Sequence, residues 1–164
     1  MKRLLLLSGK GGTGKTTVSA ALVRLSQAQA VADCDVDAPN LHLLLAQNTA
    51  PEVYDFMGGD KAQVDAALCT GCGACQEHCR FDAIHLQDGK AVVAEYSCEG
   101  CGVCDYVCPA KAVTLHTDVA GTRELYAADG VFSTATLKMG RGNSGKLVTE
   151  VKMAMLQAAP ACDL

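Results

Sequence analysis

Apolar residues in this chain come in short runs, divided by glycine-rich and acidic turns. The first run, residues 2–7, has the length and composition of a buried parallel strand. A glycine-rich turn at 9–14 follows it. From residue 16 to 28, Val18, Leu22 and Leu25 fall at helical spacing with alanine between them, which predicts a helix. Residues 30–33 predict a second strand, ending in an acidic turn at 33–40, and residues 41–46 a short helix. Towards the other end, residues 124–127 and 131–137 read as strands joined through Asp129-Gly130, a hairpin signal. Asn143 or Ser144 stands where a helix N-cap belongs, the helix running from about Gly145 to Ala159 and stopping at Pro160.

The middle of the chain has another texture. Cys69-Thr-Gly-Cys-Gly-Ala-Cys-Gln-Glu-His-Cys79 is followed by Asp82-Ala-Ile-His-Leu86; Cys98-Glu-Gly-Cys-Gly-Val-Cys-Asp-Tyr-Val-Cys108 is followed by Lys111-Ala-Val-Thr-Leu115. The two copies align without a gap, an internal repeat, and Ala83-Ile84 and Ala112-Val113 predict matching short strands. The expected plan is therefore an α/β domain in two pieces, 1–65 and 118–164, interrupted by a cysteine-rich α+β insertion at 66–117. Neither outer piece alone makes a complete core.

With 164 residues there is room for one ordinary domain or two small ones, and 49% apolar residues supply a core. The formal charge is −4, and Lys and Arg are scattered, so no basic face for nucleic acid is expected. The leading apolar run is too short for a secretion signal, and no stretch reaches transmembrane length. The reading is cytoplasmic. Thiols stay reduced there, and ten cysteines point to metal rather than disulfides.

Gly9-Lys-Gly-Gly-Thr-Gly-Lys15-Thr16 fits the phosphate-loop pattern between a predicted strand and a helix. Successive backbone N–H groups from Gly9, Lys10, Gly11, Gly12, Thr13 and Gly14 curl round a phosphate, and the helix start, through Thr17, adds its positive end. Lys15 reaches the β- and γ-phosphates of ATP, and Thr16 gives a hydroxyl to Mg²⁺. In the acidic turn Asp33-Cys34-Asp35-Val36-Asp37, carboxylates at a strand's C-terminal edge hold Mg²⁺ through water or orient the attacking water. Asp37 reads equally as a turn residue. Cys34, with no cysteine near it, reads as a small buried residue.

Thiolates are soft ligands, and two sets of four suit two [4Fe–4S] clusters. Structural zinc is the rival, but it takes two separated pairs rather than two triplets with outliers. Gly71, Gly73, Gly100 and Gly102 leave room for N–H groups near the sulfurs. The cysteine spacing resembles that of bacterial-type ferredoxins, in which the fourth cysteine ligates the other cluster. That resemblance implies Cys69, Cys72, Cys75 and Cys108 for one cluster, and Cys98, Cys101, Cys104 and Cys79 for the second. Pro109 follows the pattern; Arg80 departs from it and stands where charge tunes a cluster. His78, His85 and His116 read as surface or structural residues. Gly140 to Lys146 is glycine-rich but lacks the hydroxyl residue a phosphate loop needs, since Leu147 follows; it reads as a loop and helix cap.

Lys10, a second lysine in the loop, is the mark by which the sequence resembles the deviant Walker A ATPases, including the nitrogenase iron protein and MinD/ParA-type ATPases. Residues 8–17, 33–45 and 143–151 and the eight cysteines together look like MinD-superfamily P-loop ATPases with an inserted ferredoxin domain. The resemblance implies an ATPase, a homodimer in which Lys10 reaches the partner's nucleotide, and candidate catalytic roles for Lys10, Lys15, Asp33 and Asp35. The second switch motif of that family, Asp-x-Pro-Pro-Gly, does not occur here, so a fragment or reduced activity is expected, and the resemblance carries nucleotide binding further than hydrolysis. Two functions follow. One couples nucleotide state to the clusters, for electron transfer to a redox partner or maturation of a metalloprotein client. The other is a non-enzymatic electron carrier. A sensor of oxygen or iron is a weaker third.

Overall fold

The computed structural model describes residues 3–9, 12–45, 47–128 and 130–159. Lys2, Lys10, Gly11, Ala46, Asp129 and Pro160, which carry expectations above, lie outside them. The elements are α1 (Lys15–Ser26), β1 (Ala30–Ala32), a 3-10 turn (Leu41–Leu43), β2 (Glu52–Val64), α2 (Ala74–Glu77), β3 (Ile84–Gln87), β4 (Lys90–Val93), α3 (Val103–Tyr106), β5 (Val113–Tyr126), β6 (Val131–Leu137) and α4 (Ser144–Ala158). They form two units. One takes its residues from 1–56, 121–137 and 144–164, the other from 57–120 and 138–143.

A four-stranded sheet has the order β1-β6-β5-β2; β1, β6, residues 52–56 of β2 and residues 121–126 of β5 belong to the first unit, and the rest of β2 and β5 to the second. β1 runs parallel to β6, with Ala30 opposite Val131, and β5 runs antiparallel to β6, with Tyr126 opposite Phe132. The sheet is thus mixed: its antiparallel β5–β6 pair is the hairpin the sequence predicted over 124–127 and 131–137, set in a domain whose sheet was otherwise expected to be parallel. β6 is buried at six of its seven positions, including Ser133 and Thr134, as a strand covered on both faces must be. Phe132 packs with Ala20 of α1 and with Leu41 and Leu45. α4 packs on β6 and β1. It buries Leu147, Val151 and Ala154, at the four- and three-residue steps that put side chains on one helical face.

Three expectations change here. Residues 3–7 form no strand, and Leu4, Leu5 and Leu7 are exposed. A strand needs a neighbour's hydrogen-bond ladder, and this segment pairs with none of the described strands. The packed face of α1 is Ala20 with Val23, whereas Val18 and Leu25 face solvent. Leu22 and Leu25 had suggested the wrong stripe because leucine outweighs alanine in a periodicity, although alanine is what fits against Phe132. The 13-residue strand β2 was not anticipated; its polar, glycine-containing sequence has little alternation.

The second unit is organised by the repeat. Each position has its counterpart 29 residues on, Cys69 with Cys98 and Cys79 with Cys108. β3 and β4 form a hairpin through Asp88-Gly89, both at positive φ. The Asp65 N–H donates to the Ala112 carbonyl (2.7 Å), and its counterpart, the Ala94 N–H, donates to Ala83 (2.7 Å). The strand after each motif therefore pairs with the chain leading into the other. The two halves are exchanged rather than side by side.

Candidate functional site

In the first unit, Gly14 takes a left-handed conformation (φ 82°) and turns the chain into α1, whose first turn receives no side-chain cap. The helix therefore offers its positive end unblocked. Just inside it, Lys15 and Thr16 meet the acidic turn. Lys15 Nζ lies 3.0 Å from Asp35 Oδ2, and the Thr16 hydroxyl donates to Asn40 Oδ1 at 2.8 Å. Asp33 is buried, and its carboxylate accepts the Asp35 and Leu41 N–H groups, both at 3.1 Å. The Asp33 N–H is held by the Ser133 carbonyl of β6 at 2.9 Å. Asp33 thus shapes the turn that presents Asp35 and Asn40. Asp37 is exposed, and so is Cys34, against the expectation that Cys34 is buried: the turn carries its side chain outward. Gly9, Gly12, Thr13 and Thr17 are exposed around the loop. Asn40 was not singled out by sequence; only the fold brings it to Thr16.

The second unit holds two hollows. Cys69, Cys72, Cys75 and Cys108 line one, and Cys79, Cys98, Cys101 and Cys104 line the other. α2 and α3 each start on a glycine at φ 81°, Gly73 and Gly102, and each buries one cysteine, Cys75 and Cys104. Four buried alanines then aim backbone N–H groups at sulfur. Ala91 donates to Cys69 (3.5 Å) and Ala112 to Cys108 (3.3 Å) around the first hollow. Ala62 donates to Cys98 (3.5 Å) and Ala83 to Cys79 (3.3 Å) around the second. The N–H groups of Ala91 and Gly71 hold the Cys69 thiol below its ordinary range, while burial pushes Cys75 and Cys104 up.

Ahead of Ala62 and Ala91 stand Lys61 and Lys90. Lys90 donates to the Cys69 carbonyl (2.5 Å), and Lys61 to that of Cys98. These lysines and alanines are candidate site residues that the sequence did not single out, because the repeat was counted from the first cysteine. Carrying the 29-residue register eight residues further back, to the two Lys-Ala pairs, finds them. The thiols line hollows rather than meeting at a point: among the described residues no three His, Cys, Asp or Glu side chains are close enough to hold a single ion. His78, His85 and His116 are exposed, and Arg80 lines neither hollow.

The segment 138–143 also belongs to this unit. Arg141, its side chain only 6% exposed, pairs with Glu95 (2.7 Å) and Asp118. It fixes a loop there, and Ser144 begins α4, so the stretch 140–146 serves as loop and helix start.

Known proteins resemble parts of this chain. Over 92 residues it is 34% identical to an uncharacterized protein of Methanocaldococcus jannaschii, a match covering 50% of this chain and 30% of that one. Over 70 residues it is 37% identical to an uncharacterized ATP-binding protein of the same organism, covering 40% and 26%. Each match spans less than a third of the relative's length. Residues 4–158 match the CobQ/CobB/MinD/ParA nucleotide binding domain, nearly the whole chain and including the phosphate loop, and on that match the chain belongs to this family of nucleotide-binding domains.

Proposed function

We propose that this chain is an ATP-binding iron–sulfur protein that couples nucleotide state to two [4Fe–4S] clusters, in electron transfer or in maturation of a metalloprotein. The observation that carries it is the pair of hollows, each with four thiols and two alanine N–H donors on sulfur. Four thiolates are the ligand set of such a cluster, and N–H groups on sulfur stabilise its negative charge. A cluster of several irons is wider than one ion, which suits thiols spread round a hollow. When bound, each cluster supplies one-electron redox chemistry.

The residues of the other unit do the nucleotide work. Lys15 exchanges its pairing with Asp35 for the β- and γ-phosphates, and the N–H groups of the loop and of the α1 start cradle them. Thr16 and Asp35 hold Mg²⁺, Asp35 through water, and Asp33 keeps the turn in place. Lys10 reaches a second copy's nucleotide in a homodimer. The protein works in the cytoplasm; among the described residues no helix is long and apolar enough to cross a membrane.

The test is anaerobic reconstitution, with iron, sulfide, ATP binding and ATP turnover measured on one sample. About eight irons per chain, four for each cluster, with nucleotide binding, is the expected result; turnover on the same sample means that this chain works as a coupled ATPase, and its absence that the chain is the cluster-bearing half of something larger. A single zinc or iron per four thiols overturns the cluster reading. Eight irons with no nucleotide effect on the clusters replaces coupling by the simple electron carrier.

A further inference from the structure

We propose that Glu99 sets the two hollows to different reduction potentials, the one of Cys79, Cys98, Cys101 and Cys104 being the lower; this rests on the reading of both as cluster seats. The repeat supplies its own control. The two linings correspond almost position for position under the exchange of halves, down to Leu86 beside Gly73 and Leu115 beside Gly102. Where they differ in chemistry, Thr70 in the first hollow answers Glu99 in the second, and Ala110 answers Phe81.

Among the described residues lining the two hollows, Glu99 is the one that carries a charge; it is exposed at the rim, one carboxylate oxygen 3.9 Å from where a Cβ on Gly142 would stand, so solvent weakens its field without removing it. Reducing a cluster adds negative charge, so a carboxylate beside it opposes reduction and lowers the potential, and reduced solvent access acts the same way. Phe81, larger than Ala110, therefore reinforces Glu99. The lysines cancel between the halves, since Lys61 and Lys90 hold equivalent carbonyls. Arg141 does not offset Glu99, because its Nη2 already pairs with two carboxylates, Glu95 and Asp118, whose charge outweighs its own. Arg80, also exposed, lines neither hollow.

The experiment is a redox titration of the reconstituted chain with dithionite, followed by electron paramagnetic resonance. Two one-electron waves are expected. Coupling between equal clusters also splits waves, so the variants decide. Glu99→Thr should move the lower wave up towards the other, and Thr70→Glu should move the upper wave down. Coincident waves in the parent protein, or waves that neither variant moves, overturn the proposal with the cluster reading intact. An iron count well below about eight per chain overturns both together.

Discussion

Lys15 faces two partners, and their energies differ enough to separate them by experiment. In the nucleotide-free protein it pairs with Asp35, with side-chain exposures of 34% and 35%. A pair so open to water contributes at most about 1 kcal/mol. Lys15→Ala should therefore leave the thermal midpoint almost unchanged. On a phosphate the same ammonium makes hydrogen bonds between charged groups, about 1.5–3 kcal/mol, so ATP binding should weaken roughly 10- to 100-fold. Calorimetric titration with ATP and a melting curve on one variant check both halves, and retained affinity would remove Lys15 from the site. Glycines separate in the same way. Gly14 (φ 82°) has open space where a Cβ would go, so Gly14→Ala meets only backbone strain, about 1 kcal/mol. A Cβ on Gly71 (φ 70°) would run into the Gly89 carbonyl, closer than any real Cβ contact allows, and Gly100 meets Asp60 in the same way. Gly71→Ala should cost roughly 2–5 kcal/mol in denaturant unfolding, strain and overpacking together. The sequence showed these glycines as room beside sulfur. That they also let distant backbone pass, the Asp88-Gly89 turn at Gly71 and β2 at Gly100, is a non-local fact, and no local pattern carries it.

Among the elements, α4 and β6 were legible because both write their burial into the sequence. β6 is a short run with Val131, Thr134 and Thr136 β-branched, and α4 repeats apolar residues on one face. Leu147 and Val151 are wholly buried, whereas Met153 on the same helix is 48% exposed. Leu147→Ala should cost about 2–5 kcal/mol, the transfer of the side chain plus the cavity it leaves. Met153→Ala should stay within about 0.5 kcal/mol. Equal effects in the two variants would mean α4 is not anchored through this face. The elements that were misjudged failed for one reason. A strand is defined by its neighbours, and residues 3–7 have strand composition without a described partner, while β2 has a partner without strand-like composition. Alternation along a chain reports the first property and is blind to the second.

At the scale of the whole molecule, the two units have different kinds of core. The largest wholly buried side chains among the described residues, Phe56, Leu147, Val151 and Ser133, all belong to the first unit. The core of the second is made of cysteines and alanines with Ala83-Ile84 and Ala112-Val113, and contains no aromatic residue, leucine or methionine that is fully buried. Burial gains about 25 cal/mol per Å² of apolar surface, and alanines bury little, so a core of this kind sits near the limit at which small domains need a cross-link or metal. On the cluster reading proposed above, iron held by four thiolates in the folded state and poorly in the unfolded chain would add its binding free energy to folding. Stability of the second unit should thus depend on the metal, and that of the first should not. Hydrogen exchange after anaerobic chelation of iron tests this directly. Amides of β3 and β4, and those of Asp65 and Ala94 that tie the exchanged halves, should lose protection, while those of β6 and α4 keep theirs. Protection retained at Asp65 and Ala94 without iron would mean that the small-residue core suffices, and that the hollows are formed before anything fills them.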